Sequence, residues 1–390
     1  MNEISTQLKR VQRAGLAAGV VFLLLAGIGL MMDPGAFYVA WLIGFIFWLG
    51  LALGCLNAAM IFYLTGGRWG FVSVRLLEAA YLTLPLLAIL FVPLLFGLRE
   101  LYPWARPAAV AADKVLQQKA IYENFPGFLL RAVFFFGGWI LIATFLRRWS
   151  LQQDDTTDPA PTVKLRTLSG PGVVLAPLLV TFALVDWIMS IEPAWFSTVF
   201  AVVMLSGEML IAFAFVILWL GWLSRQAPFR ENVTPAHFHD LGNLLLTFVM
   251  FWTYVAFSQL LIIYAGNQPH EIAWYLHRIA GDWKWVVVFI ALFHFFVPFF
   301  LLLFRAMKKN VPRLMAIAGL IFVVHAVELF WVIAPSFHFT FQLCWLSVAA
   351  WLGMGGLWLA VFVFNLNRHP LLPRNLPLPG NPFAQTADAN

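Results

Sequence analysis

Among the ionisable residues within or beside long apolar stretches of this 390-residue chain, ten could carry protons: Arg75, Glu78, Asp186, Glu192, Glu208, His239, Asp240, His294, His325 and Glu328. An unpaired charge in an oily medium costs on the order of several kcal/mol, so residues of this kind are kept there because they are paired or because they are used. Carboxylates and imidazoles in such places exchange protons with their surroundings, and groups spaced within reach of one another or of bridging water form a proton path. Counted along their apolar runs, His239 and Asp240 come first from one face, with His237 beside them and Asn243 a turn further in. Glu208, His294 and His325 fall near mid-depth, and Glu328, Asp186 and Glu192 lie toward the other face. Glu208 is the sharpest candidate, because a carboxylate at mid-depth has no route by which to reach water and must be paired or protonated. The competing reading is that each polar group hydrogen-bonds a neighbouring helix and glues the bundle, with Arg131 or backbone as partner.

Two other chemistries are narrower. His294 and His325 fall about 15 and 18 Å along their helices, a depth that suits a bis-His haem b if the imidazoles face across a ring-sized space. His325 and Glu328, three apart on one helix face, resemble half of a carboxylate metal site. No second pair of that kind occurs, so no metal ligands are assigned. Only Cys55 and Cys344 are present, in no CxxC or CxxCH pattern, which excludes covalent c haem and a Cys-ligated iron–sulfur cluster from this chain.

The elements that must position these residues follow from composition. With 62% hydrophobic and 11% charged residues, the chain cannot coat a water-soluble globule. Apolar runs of about 20 residues, enough to cross a hydrocarbon core, recur at 14–32, 39–64, 72–98, 127–146, 171–189, 197–223, 241–265, 284–304, 313–334 and 342–366. The pattern predicts an all-α integral membrane protein with ten transmembrane helices. Pro85 and Pro93 predict a kink in the third, whose first turns carry Arg75 and Glu78 at the interface, either as a satisfied ion pair or as a proton entry. In DWIMSIEPAWFST, residues 186–198, Pro193 breaks the fifth helix and Ser197 or Thr198 is a candidate cap for the sixth.

Orientation follows from the basic residues. Of 24 Lys and Arg, 17 lie in the N-terminal segment and the alternate connections that share its side, among them Lys9, Arg68, Arg147, Arg230, Lys308 and Arg368. Six lie on the other side and Arg131 lies within the fourth run, so both termini are expected to be cytoplasmic. Residues 1–13 then form a cytoplasmic N-terminus, and the first run is read as a retained helix, since no small-residue cleavage site follows it. The Pro-rich stretch 367–390 is a cytoplasmic tail, expected to lie extended along a partner or disordered. The net charge of +6 reads as topology and attraction to anionic lipid, not as a nucleic-acid surface. Outer segments LYPWA (101–105), EPAWFS (192–197) and GNQPHEIAWYLHRIAGDWKW (266–285) carry the aromatics of interface anchors, and loop 99–126 is long enough to dock an extramembrane partner.

Several of these stretches occur together and in order: LTGGRWG followed by RLLEAAYLTLPLLAILFVPLLFG, LYPWA, DWIMSIEPAWFST and HDLGNLLLTFVMFWTYVAFSQLLIIYAGNQPHEIAWYL. From about residue 40 to 290 the chain resembles the second NrfD-like membrane subunit of bacterial alternative complex III, the ActF family. It carries Glu192 and Ala194 where that family's pattern has Asp and His. The resemblance implies two four-helix bundles plus two peripheral helices, with a first bundle region at 39–146 and a second at 171–334. It implies a place in the bacterial inner membrane, in a complex that oxidises quinol and passes electrons to a cytochrome c or a terminal oxidase. Expected partners are a sister NrfD-like quinol-binding subunit, an iron–sulfur subunit and multihaem cytochrome c subunits, which hold the c haems and iron–sulfur clusters. Quinone or menaquinone binding by this chain itself stays open, and no catalytic residue is assigned to it. The function expected is a transmembrane proton route coupled to quinol oxidation elsewhere in the complex. A purely structural scaffold and a stand-alone secondary transporter are the alternatives, the latter requiring an inverted repeat that the sequence does not display.

Overall fold

The computed structural model describes residues 3–337 and 341–377, and among them there is no strand. Ten helices are long and apolar enough to cross a membrane: α1 (Glu3–Met32), α2 (Pro34–Thr65), α3 (Arg68–Phe96), α4 (Phe125–Asp154), α5 (Ala160–Ile191), α6 (Phe200–Leu223), α7 (Pro235–Gly266), α8 (Trp283–Leu303), α9 (Val311–Ser336) and α10 (Leu343–Asn367). The chain is a multi-pass membrane protein by this measure. The spanning segments are helical because a backbone without internal hydrogen bonds has no partners in lipid.

Helix α2 is apolar on every side, and its most apolar stretch is wholly buried, as a helix without a polar face must be. Asp33 caps it by accepting from the Ala36 amide (2.9 Å), and Pro34 stands at its first position. Around it pack α3, α5, α6 and α10. Helices α4 and α5 pair with each other, α6 packs on α7 and α9, α7 and α9 each touch α8, and α1 lies against α10. The sequence grouping of 171–334 put α5 with α6–α9. Its chief partners are α4 and α2, with a smaller contact to α6.

The α1–α10 contact is set by glycines. A Cβ at Gly19 would stand 2.8 Å from the Leu357 nitrogen, and one at Gly356 would stand 2.4 Å from that of Gly19. Small residues four apart, here Gly15 and Gly19, let two backbones touch where apolar side chains gain nothing over lipid. Helix α3 breaks where expected: its first segment ends at Tyr81, the Thr83 hydroxyl donates to the Ala80 carbonyl (2.7 Å), and Pro85 opens the second segment. A proline ring at 85 lacks the N–H that would bond residue 81 and clashes with its carbonyl. Helix α6 begins at Phe200 with Val199 at the N-cap and no side-chain cap, so neither Ser197 nor Thr198 takes that role.

The outer connections are not loose. Residues 98–119 form short helical pieces in which Tyr102 and Trp104 are buried and stacked at 5.4 Å, and Tyr102 donates to the Trp187 carbonyl (3.1 Å). Trp195 stacks on Trp274 at 4.6 Å, both buried. Tyr102, Trp104, Trp195 and Trp274 therefore plug the ends of the helix groups, where large rings gain area between helices, while Phe196 and Trp285 stay exposed. On the opposite face both ends of the chain meet: Ile4 and Ser5 share a cleft with residues 369–374, and Gln226 bonds Gln7. The Arg374 amide donates to Asp154 (2.9 Å) and Leu376 is buried, so the tail up to residue 377 docks on its own chain. Tail residues 378–390 lie outside the described residues.

Candidate functional site

Glu208 lies on α6 and faces α2. A Cβ added at Gly50 would meet its Cγ at 3.0 Å, so Gly50 opens the seat this side chain fills, and one at Gly54 would lie 2.2 Å from its backbone carbonyl oxygen, so Gly54 lets the two helix backbones touch. It is buried, its Oε2 has no hydrogen-bond partner, and it forms no ion pair among the described residues. Beside it is a void of about 10 Å³ lined by Leu53, Trp139, Leu184 and Trp187, at the lower limit for one water. A charged carboxylate here would lack any counter-charge, so the seat fits the neutral, proton-carrying form.

The second cluster joins residues from three helices. The π-helical turn 291–296 in α8 carries His294. Pro298 lacks the N–H that an α-helix would present to the His294 carbonyl, and the widened turn absorbs that defect. On α9 one face presents His325 and Glu328. The His325 Nδ1 lies 2.8 Å from Glu328 Oε2 and the His294 Nδ1 lies 3.4 Å from the same oxygen. From α7, the Trp252 indole donates to Glu328 Oε1 (2.8 Å) and its ring meets the His294 ring edge-on at 4.3 Å. Gly207 allows His325 its position, since a Cβ there would lie 2.5 Å from the imidazole Cε1. The two imidazole centroids are 5.7 Å apart with the Glu328 carboxylate against both, which leaves no porphyrin-sized gap between them. Glu328 also lines an apolar cavity of about 550 Å³ between α6, α7, α8 and α9, rimmed by the exposed Tyr254, Phe257 and Leu260.

The remaining expected residues are paired. Asp186 receives Arg131 at 2.6 Å, and that guanidinium lies over the Tyr122 ring at 3.8 Å. Glu192 accepts from Arg278 (2.9 Å) and from Ser336 (2.5 Å). Arg278 also donates to the Val332 carbonyl (2.6 Å) and stacks over Trp274. Burial pulls the Arg278 guanidinium down to about 10, against the opposing pull of Glu192. Asp240 meets Arg68 (3.1 Å) at the exposed end of α7, with His239 3.9 Å away.

Arg75 and Glu78 are fully buried and belong to a larger cluster than an interfacial pair. Glu78 accepts from Arg75 (2.6 Å), from Tyr63 (2.6 Å) and, at close range, from Arg147, while Arg75 also holds Asp154 (2.5 Å). Two guanidiniums against two carboxylates leave this cluster neutral, which is what its burial requires.

The expected ladder is thus divided. Glu208 stands alone at the α2–α5–α6 junction, His294 and His325 meet Glu328 one layer away, and Asp186, Glu192 and Asp240 are held in separate ion pairs. Sequence reasoning missed Tyr63, Arg147, Asp154, Trp252, Arg278 and Asn57, a buried residue of α2 whose carbonyl oxygen is unbonded. Asn57 had a visible signal, being a polar residue within an otherwise apolar run. The chain matches no family model and no curated protein.

Proposed function

We propose that this chain is a membrane subunit of a quinol-oxidising respiratory complex of the alternative complex III type, and that it contributes a proton route centred on Glu208. The assignment to the complex rests on the ordered motifs between residues 40 and 290. The proton route rests on one observation, a buried carboxylate near mid-depth with no ion-pair partner and a neighbouring void of about one water. From Glu208 the route runs along α2 past Asn57, about 4.5 Å beyond Gly54 on the helix axis, to Tyr63 and the Glu78 cluster about 9 Å further. On the outer side Trp187 separates the void from the Asp186–Arg131 pair. His294, His325 and Glu328 are left out of this route.

The pairing of α4 with α5, and of α6 with α7 and α9, supports two helix groups, with α2 packed between them and α10 against α2; the peripheral place of α1 and α10 rests on the resemblance. The basic residues support a bacterial inner-membrane orientation with both termini cytoplasmic. Partners in this reading are the sister quinol-binding subunit, an iron–sulfur subunit, multihaem cytochromes c and, in some assemblies, a terminal oxidase. A quinone bound by this chain would enter the cavity of about 550 Å³ beside Trp252, whose apolar walls and lipid-facing rim suit a ring with an isoprenoid tail.

The test is the Glu208→Gln variant in the assembled complex. The amide keeps volume and loses the exchangeable charge, so assembly and quinol oxidation persist while protons moved per electron fall. An unchanged ratio would instead favour the scaffold reading, in which the buried polar groups only join helices.

A further inference from the structure

We infer that His294, His325 and Glu328 form a binding site for one divalent transition-metal ion of the zinc class, inside the α6–α9 helices. Ligand atoms of all three side chains lie within 4.8 Å of one another, and all three residues are buried. Two imidazoles and one carboxylate are a donor set that zinc and its first-row neighbours share. Ligands about 2.0–2.1 Å from a tetrahedral ion stand roughly 3.3 Å apart. The 3.4 Å between His294 Nδ1 and Glu328 Oε2 already has that value.

Three further features point to an ion. Both ring nitrogens of the fully buried His294 lack a hydrogen-bond partner. A neutral imidazole in an apolar interior keeps one donor and one acceptor, and leaving both unmet is destabilising. The widened turn in α8 presents this imidazole, and such turns in helices gather at functional sites. Trp252 bonds the Glu328 oxygen that faces away from the imidazoles, fixing the carboxylate as an outer ligand-orienting group does.

Charge decides the fourth ligand. Glu328 is the one charged residue lining the adjoining cavity, so a divalent ion on two neutral imidazoles and one carboxylate would keep a single positive charge. A water entering from the cavity and bound as hydroxide brings the site to neutrality, and zinc lowers the proton affinity of its bound water enough for that. The ion ties α8 to α9, joining two helices that otherwise meet through apolar side chains. This inference is independent of the proton route through Glu208.

The test measures metal in the full-length chain, purified in mild detergent without chelator. Wild type is expected to carry about one equivalent of zinc, or of cobalt, nickel or manganese in its place. After chelation it should take up Co²⁺ with visible d–d absorption that saturates near one equivalent. His294→Ala should hold at least tenfold less metal, while His277→Ala, which removes an exposed histidine outside the cluster and keeps all three ligands and Trp252, should retain it. A monodisperse wild type with under about a tenth of an equivalent and no cobalt band on titration would overturn the site, and so would undiminished metal in His294→Ala. If that variant does not fold, the wild-type cobalt titration alone decides.

Discussion

At the residue scale the buried charges differ in what removing one would leave behind. Arg278 is 1% exposed and has Glu192 as its counter-charge, so Glu192→Gln leaves a buried guanidinium without one. That change is expected to lower stability by about 3 kcal/mol, read as a fall in thermal midpoint, because breaking one side of a buried pair leaves the other uncompensated. Glu123 gives a pH-dependent case. Burial, helped by the nearby Asp186, raises its carboxyl above the usual glutamate value of 4.5, although Lys119 and Arg131 oppose the shift. A raised folded-state value means stability is fully present below about 4.5 and is lost as pH rises through the folded value. Glu123→Gln should therefore raise the thermal midpoint at pH 7 and leave it unchanged near pH 4. An equal gain at both pH values would mean the carboxyl is not the cause. Of the candidate residues, the sequence made Glu208 legible, since a carboxylate within a long apolar run stands out. His294 with Glu328 was not legible, because 34 positions separate residues that only helix packing brings together.

At the element scale, contacts between helices depend on shape and on paired charge, since lipid is as apolar as the side chains it touches. Gly356→Leu places a side chain where the backbone of α1 already lies, and should detach α1 from α10. Limited proteolysis would then release the first 32 residues while the other helices stay protected, and an unreleased α1 would show that the glycine contact is dispensable. The Glu78 cluster behaves otherwise. Glu78→Gln removes a counter-charge shared by Arg75 and Arg147 and should cost about 3–5 kcal/mol. Joint replacement of Arg75 and Glu78 by Leu and Met should cost less than the single change, a difference that a double-mutant cycle would read. The kink of α3 could be derived from Pro85 alone, whereas the burial of the cluster could not: it takes α4 to lay Arg147 and Asp154 against α3.

At the scale of the whole molecule, the loops alternate between two faces and the chain's two ends share one of them. With Cys344 replaced by Ser, Ala111→Cys should react with an impermeant maleimide from outside intact cells, and Thr157→Cys only after permeabilisation. The opposite pattern would invert the orientation drawn from the basic residues. Hydrophobic runs of spanning length, prolines at helix starts and the asymmetry of Lys and Arg determined the class of protein, the number of helices, the break in α3 and the expected sidedness. These are properties of single segments and the solvent each can tolerate, so they are written in the order of residues. Tertiary structure alone decided that α5 packs with α4 and α2, that Tyr102, Trp104 and Trp195 plug helix ends, and that His294 joins His325 and Glu328 while Glu208 stands apart. Depth along a helix can be counted from sequence, but the direction a side chain faces cannot. In an almost uniformly apolar helix such as α2 no polar face marks the inside, and rotation is set by glycine contacts and buried charges on neighbouring helices.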